Sequence, residues 1–472
     1  MDSMAIYIDG TWRAAHSSDR IPVENPATEE IIAEVPDCDA ADVDAAVAAA
    51  RAALPAWSSG SAQDRICLMR RTRRDMLERR AELADVITAE IGTPTNFANK
   101  IQAGMALRAL GSFIDALPEG TEPQQLDHSM VVPEPVGVVA AITPWNYPLN
   151  QVVAKVMAAI AAGCTVVVKP SELAPLSAQL FIRLLAEADL PAGVVNLVTG
   201  SGPVVGDALV RHPEVDMVSF TGSTAVGTRI AAAAAEGVKR VALELGGKSA
   251  AVVLPDGDLP AAVLNTVRSC MANAGQTCTA LSRLVVPRKR CQEAAEQAAA
   301  LMANYRIGDP TDPETKLGPL VSSAHRDRVR GHIARAREEG LREIPCGPPD
   351  RLPERGHYLA PAVFVSEDPG ASLAQEEVFG PVLCVLPYDT EDEAVDIANG
   401  TPFGLAGSVW SADVPRALAV AGRIRVGRIE VNGVGPGPGA PFGGRRRSGY
   451  GYELGPHGLR EFQVLKSLGV PA

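Results

Sequence analysis

Aromatic side chains are scarce in this sequence, only 4% of 472 residues. Alanine is abundant instead, so helices are expected to pack closely on small side chains. A basic surplus is also lacking: 44 Lys and Arg stand against 56 Asp and Glu, a formal net charge of −12. Phosphate and anionic lipid need a basic surface, so a general role on nucleic acid or on a membrane is disfavoured. The 8 cysteines are scattered, with no C-x-x-C pair. A disulfide framework is not expected in a chain this long, and without zinc spacing no metal site is read. No apolar run reaches membrane-spanning length. Met1-Asp2-Ser3-Met4-Ala5 has neither a basic n-region nor an apolar h-region, and a reducing, cytoplasmic setting is the expectation.

What is present points to an α/β protein. The length suits two or three packed domains, and 46% apolar with 21% charged residues is ordinary for a globular chain. From Asp37 to about Leu117 apolar residues recur at three and four, as at Val43, Val47, Ala50 and Leu54, with Asp39 or Asp42 placed to cap a helix. Arg70-Arg71-Thr72-Arg73-Arg74 reads as the polar face of such a helix, with Asp75, Glu78 and Glu82 at salt-bridge spacing. From Val136 onward strands and helices alternate. Strands are expected at Val136–Ile142, Thr165–Val168, Val194–Val198, Met217–Phe220 and Arg240–Leu243. Helices are expected at Leu149–Ala162, which Gly163 would end, at Pro175–Ala188 and Pro203–Val210, and from Ser223. Such alternation implies parallel strands joined by crossover helices, a Rossmann-like sheet. A second alternating region begins near Ala250, with strands at Ala250–Leu254, Arg283–Val286, Val382–Leu386 and Gly407–Trp410. Its helices lie near Leu259–Ala274, Lys289–Tyr305 and Glu391–Ala398. The Gly- and Pro-rich stretch Gly433–Gly439 should be irregular.

Several short motifs stand at strand ends. Gly200-Ser201-Gly202, with Gly206 beyond, is one residue off the dinucleotide fingerprint and reads equally as a simple turn. In Phe220-Thr221-Gly222-Ser223 a strand ends, glycine permits close backbone approach, and Ser223 can cap a helix whose N–H groups favour a pyrophosphate. An ordinary N-cap is the alternative. Lys169-Pro170-Ser171-Glu172 offers one donor and one acceptor to ribose hydroxyls, or is only a turn. Cys278 in Gly275-Gln276-Thr277-Cys278 follows an apolar helix. Most cysteines so placed are small buried hydrophobes. Glu244 opens Glu244-Leu245-Gly246-Gly247-Lys248, 34 residues earlier (278 − 244), so only the fold can bring the two together.

Taken in order, the last four of these motifs, without the Gly200-Ser201-Gly202 turn, and three more resemble the aldehyde dehydrogenase superfamily. The additional ones are Thr143-Pro144-Trp145-Asn146-Tyr147-Pro148, Glu376-Glu377-Val378-Phe379-Gly380-Pro381-Val382 and Pro441-Phe442-Gly443-Gly444. The resemblance implies that Cys278 is a nucleophile whose thiolate attacks an aldehyde carbonyl. Asn146, with the backbone N–H of Cys278, would hold the developing oxyanion. The adduct would pass hydride to a nicotinamide and leave a thioester. Glu244 would activate the water that releases the acid. For the cofactor, NAD with NADP as the alternative, the resemblance implies Lys169 and Glu172 at the adenosine ribose, and Gly222 and Ser223 at the pyrophosphate. Glu377 and Phe379 would position the nicotinamide ribose and ring. Ile142, Thr143 and Trp145 would line the same cleft, with Gly202 and Leu245 beside it.

The same resemblance implies three segments. A cofactor domain would take 1–117 and 134–247, and a catalytic domain 248–462. An oligomerisation arm would pair 118–133 with the C-terminal strand in 463–472, in a homodimer or homotetramer. Thr277 and Thr279 flank Cys278 with no aromatic beside it, and Val434–Ala440 lacks the aromatics that many relatives carry in the loop before Pro441-Phe442. A roomy, mostly apolar tunnel for uncharged aliphatic or aromatic aldehydes is therefore expected, with Tyr147, Leu149 and Phe442 adding apolar surface. Two alternatives remain open: a coenzyme A-acylating semialdehyde dehydrogenase, which typically lacks the water-activating glutamate, and a non-catalytic member of the same fold.

Overall fold

The computed structural model describes residues 5–347 and 352–470. Residues 1–4, 348–351 and 471–472, which fall within the three expected segments, lie outside the described residues. The alternating pattern folds as an α/β structure with two main sheets. The parallel centre of the first runs in the order Arg240–Glu244, Met217–Thr221, Val138–Ile142, Thr165–Lys169, Val195–Leu197. Its three middle strands are buried along their whole length. Helices cover both faces of such a sheet, so the strands read as unbroken apolar runs. Antiparallel edge strands, Ile6–Ile8 with Thr11–Arg13 on one side and Gly449–Tyr450 on the other, complete the sheet.

The direction of winding reverses at Val138–Ile142. The chain goes first to Thr165–Lys169 on one side and later to Met217–Thr221 on the other. Connections then leave in opposite directions from the carboxyl ends of neighbouring strands, and a crevice opens between them. Open α/β sheets bind their ligands at such a switch point.

The second sheet is ordered Arg342–Ile344, Ala362–Val365, Val382–Tyr388, Arg283–Pro287, Ala250–Val253, Ala406–Trp410, Arg428–Val431. Only the first pair is antiparallel. Gln463–Gly469 lies antiparallel to Ser129–Pro135, which also pairs with Gln124–Leu126 in a small third sheet. Residues 118–120 belong to the end of the helix Gly104–Gly120. Among the described residues no helix is long and apolar enough to cross a membrane.

Helix boundaries follow local chemistry. Asp39 accepts from the N–H groups of Ala41 and Asp42, and Asp42 returns a bond to Asp39. This box starts Ala40–Ser59 and contributes about 1 kcal/mol. Pro148–Ala162 is buried at every position and ends at Gly163, whose φ of 90° costs glycine nothing. The arginine run lies on the helix Ala62–Glu78 with Arg70, Arg73 and Arg74 exposed, as expected, but its pairings differ. Arg71 and Arg73 donate to the carbonyls of Ala188 and Leu107, Arg74 pairs with adjacent Asp75, and Glu82 pairs with Arg79. Ala188 is the C-cap of Leu176–Glu187, and carbonyls at a helix end need donors from outside it.

Arg283 shows what the second sheet depends on. It is fully buried, and it donates to the carbonyls of Lys248, Ile397 and Ala398 at 2.9, 2.7 and 2.8 Å. Arg283→Met keeps most of the volume but leaves three buried acceptors without their donor. We expect a loss on the order of 3 kcal/mol or more, read as a lower urea midpoint with the native circular dichroism spectrum retained. An unchanged midpoint would show that water or neighbouring groups replace the guanidinium.

Candidate active site

Three strand ends of the first sheet deliver the expected motifs to one crevice. Val138–Ile142 runs into Thr143-Pro144-Trp145-Asn146, Met217–Thr221 into Gly222-Ser223, and Arg240–Glu244 into Leu245-Gly246-Gly247. Ser223 caps the helix Thr224–Glu236, its hydroxyl accepting from Val226 N–H at 3.4 Å. Across the crevice, the Glu377 carboxylate accepts from Gly247 N–H at 2.9 Å. A Cβ on Gly246 would stand 2.1 Å from Glu377 Oε2, so this close approach requires glycine there.

Cys278 is presented by a strained turn. After the helix Leu259–Met271, Asn273 and Ala274 take φ of 51° and 55°, and Gly275 takes 78°. Left-handed non-glycine residues cost on the order of 1 kcal/mol or more each and persist only where neighbours fix them. Here Asn273 Nδ2 donates to Asn146 O at 2.8 Å. The Gln276 side chain donates to Asn273 O at 3.0 Å and accepts from Val321 N–H at 2.9 Å. Asn146 Nδ2 donates to Gln276 O at 3.0 Å, which uses one of its two N–H bonds and leaves the other free. Tyr147 and Thr277 hydroxyls are bonded at 2.9 Å.

Cys278 lies where two cavities meet. One, of about 220 Å³, is walled by Trp145, Asn146, Thr221 to Ser223, Glu244 to Gly246, Arg328 and Val378 with its two neighbours Glu377 and Phe379. The other, of about 650 Å³, opens on the opposite side, between Phe97, Met105, Tyr147, Arg428, Phe442 and Glu453. Pro436, Gly437 and Pro438 of the glycine-rich loop line it as expected. Leu149 does not, because it is fully buried in the core. The wall is mostly apolar, as expected, but Arg428 and Glu430 stand in it and the exposed Arg108 and Arg268 line it too.

Burial raises the acids Cys278, Glu244 and Glu377 alike. Burial pushes the Cys278 thiol up to about 12, reinforced by the carboxylates of Glu377, Glu244 and Glu453. Glu244 is 4% exposed and neither of its oxygens has a hydrogen-bond partner. Burial, then Glu453, hold its carboxyl well above the ordinary range, while Lys155 pulls it down. Lys155 and Glu453 themselves form a buried pair at 2.5 Å. Burial raises Glu377 to about 7. It is therefore an anion in the alkaline range where the thiol ionises, and removing it must lower the thiol's pKa. Glu377→Gln is expected to shift iodoacetamide alkylation of Cys278, followed by mass spectrometry of its peptide, to lower pH. A shift to higher pH would contradict this electrostatic account.

The residues expected at a nicotinamide are supported by two that sequence reading missed. His325 Nε2–H donates to Phe379 O at 2.7 Å, and Arg328 donates to His325 Nδ1 at 2.6 Å. Burial, then the Arg328 charge, lower His325 to about 4, so it stays neutral. Trp145, His325 and Phe379 meet edge to face, with centroids 5.4 to 6.0 Å apart. Phe379 itself sits at φ 58°. Ser448 is another missed residue: its hydroxyl donates to Gly246 O and accepts from Gly404 N–H, tying the Glu244 segment to the second sheet. Nothing in their local sequence marks these three residues. Only the contacts do.

The residues expected at an adenosine lie one strand further on. Ile142 pairs with Lys169 in the sheet, and Thr143 N–H donates to Lys169 O at 3.1 Å. Lys169 is 2% exposed, its Nζ donating to Pro170 O at 2.8 Å and lying 3.5 Å from Glu172. Burial lowers its pKa. A Cβ on Gly202 would meet nothing within 4 Å, so open space adjoins this turn. Leu245 is buried, packed on Gly227.

A Rossmann-like switch-point crevice that ends on a cysteine, with a second cavity behind it, defines an oxidoreductase able to hold a dinucleotide beside a small substrate. The sequence model of the aldehyde dehydrogenase family matches residues 12–468, and the chain belongs to that family as an NAD(P)-dependent enzyme. It is 44% identical to a 3-succinoylsemialdehyde-pyridine dehydrogenase of Pseudomonas sp, over 99% of this chain and 98% of that protein. It is 40% identical to geranial dehydrogenase of Castellaniella defragrans, over 99% of each chain. Aldehyde dehydrogenase C of Pseudomonas syringae, solved as a mutant with NAD+ and octanal, superposes with a TM-score of 0.97 at 46% identity. That match covers 100% of this chain and 98% of the other.

Proposed function

We propose that this enzyme oxidises uncharged aliphatic or aromatic aldehydes to carboxylic acids with NAD, using Cys278 as nucleophile, Asn146 as oxyanion donor and Glu244 as general base. The observation that supports this most is the position of Cys278, at the junction of a crevice suited to a dinucleotide and a separate cavity large enough for an aldehyde. The crevice fits the cofactor on its own evidence. Thr143 and Thr221 have buried hydroxyls without partners, and Gly222 and Ser223 present a helix N-terminus. When bound, NAD supplies the hydride acceptor.

The chain's own residues would do the rest. The Cys278 thiolate adds to the carbonyl carbon, forming a C–S bond while the carbonyl oxygen takes the electron pair. The free N–H of Asn146 and the backbone N–H of Cys278 donate to that oxygen, and one such donor is worth about 3–4 kcal/mol in the transition state. Oxidation leaves the acyl group on Sγ as a thioester. Glu244 takes a proton from water as its oxygen attacks the acyl carbon, and the C–S bond breaks to return the thiolate and the acid. Because burial raises both Cys278 and Glu244, the rate should climb with pH as the thiolate and the carboxylate form.

Relatives support the substrate class. The similar proteins act on geranial and on a succinoylsemialdehyde-pyridine, and the solved structure holds octanal. The test is a panel from acetaldehyde to octanal with benzaldehyde, succinic semialdehyde and betaine aldehyde. It is run with NAD and with NADP, and with and without coenzyme A. Turnover without coenzyme A is expected, with NAD favoured because the half-exposed Glu172 carboxylate would repel a 2′-phosphate. A charged aldehyde as the best substrate, a preference for NADP, or dependence on coenzyme A would each overturn the corresponding part. A homodimer or homotetramer built through the third sheet completes the proposal, and sedimentation of the native enzyme tests it.

A further inference from the structure

One charged group in the larger cavity has no role in the reaction just described. Arg428 and Glu430 alternate on the strand Arg428–Val431, so both side chains project to the same face, into the cavity that holds Cys278. The Arg428 guanidinium lies over the Phe442 ring, 5.3 Å from its centroid. It makes one long hydrogen bond, to Pro436 O at 3.5 Å, and among the described residues no carboxylate stands within ion-pair distance of it. A guanidinium carries five N–H donors, and one held in a cavity wall with a single protein acceptor has most of them to offer. Arg108 and Arg268 also line this cavity, but they are exposed, and water meets their donors.

Resting on the reading of this cavity as the aldehyde site, we infer that Arg428 determines specificity by donating to a neutral carbonyl-type oxygen at the far end of the substrate. The neighbouring wall fixes the kind of acceptor. Glu430 accepts from Asn265 Nδ2 at 3.1 Å on the same face as Arg428. Glu430 already offsets the Arg428 charge, so a substrate carboxylate gains little from the pair and meets Glu430 beside it, whereas a ketone or amide oxygen needs only the N–H donors. Phe97, Ile101, Met105 and Tyr147 offer the apolar surface along which an alkyl stem can lie between that oxygen and Cys278.

The test compares octanal with 5-, 6- and 7-oxooctanal and with 8-oxooctanoate, using the full-length native enzyme and NAD. At least one oxo-octanal is expected to exceed octanal in kcat/KM by about ten-fold or more, mainly through KM, as a hydrogen bond to a charged donor allows. In Arg428→Met the ratio of that oxo-octanal to octanal should fall to about one, and Arg428→Lys, which keeps a cationic donor, should retain part of it. A wild-type ratio near one for every ketone position, a ratio that survives Arg428→Met, or 8-oxooctanoate as the best substrate would overturn the inference. Failure to oxidise any of these aldehydes would instead sink the reading of the reaction itself, so the two failures are distinguishable.

Discussion

Cys278→Ala is expected to end NADH formation with every aldehyde and to leave the protein folded. Without Sγ no C–S bond can form, and no other thiol is placed to substitute. Cys38, Cys164, Cys270, Cys291 and Cys384 are buried, and the half-buried Cys67 and Cys346 line neither cavity. The turn that presents residue 278 does not depend on the thiol. Its bonds run from Asn273, Gln276 and Thr277 to Asn146, Val321 and Tyr147, and none involves the sulfur. The expected loss is at least about 10⁴-fold in kcat, the scale seen when a covalent nucleophile is removed. The variant should keep its circular dichroism spectrum and still bind NAD, measured by quenching of its tryptophan fluorescence. Steady turnover by the purified variant would remove Cys278 from the chemistry.

The central strands were legible in the sequence because a strand buried on both faces must be apolar at every position. Thr165–Lys169 and Met217–Thr221 show this within one residue of the expected ends. The helix Ser323–Glu338 was not legible. Only His325, Val329, Ile333 and Ala336 are buried on it, a stripe one residue wide among five arginines. Such a pattern resembles a solvated segment, although this helix supplies both His325 and Arg328 to the crevice. The short strands Ile6–Ile8 and Thr11–Arg13 were missed for a different reason. Three residues give too few alternations to distinguish a strand from a loop, and pairing with the sheet edge is what fixes them.

The site divides along the same line. Residues carried on the ends of buried strands, such as Asn146, Gly222 and Glu244, follow from motifs, because the strand fixes where its next residue goes. Groups acting across the chain do not. The buried Lys155–Glu453 pair joins residues 298 apart, and the Glu377–Gly247 bond joins residues 130 apart. The charged groups in the mostly apolar cavity went unread for this reason. The loop Val434–Ala440 supplies one wall, while Arg428 and Glu430 reach the cavity from a strand whose apolar residues gave no sign of it.

Glu244→Gln is expected to separate the two halves of the reaction. The substitution is unusually clean structurally. Neither carboxylate oxygen has a hydrogen-bond partner, so an amide of the same shape breaks no bond. It also removes the need to hold a charge in a site that burial and Glu453 make hostile to one. What it abolishes is proton acceptance, because an amide cannot serve as the base for water. Attack by Cys278 and oxidation do not need that base, so one equivalent of NADH per active site should appear rapidly. Hydrolysis of the thioester should then limit the rate, with steady turnover down by about 10²–10⁴-fold, the range general-base catalysis supplies. Stopped-flow NADH absorbance gives the burst, and intact-protein mass spectrometry gives the acyl adduct, which should map to Cys278. Coenzyme A supplies the last discrimination. If it restores full turnover to the variant, the enzyme passes its acyl group to thiols as readily as to water. If the burst is absent and the loss falls wholly on the first NADH, Glu244 acts before the thioester, as the base that ionises Cys278. If turnover is normal, Glu244 is not the base at all.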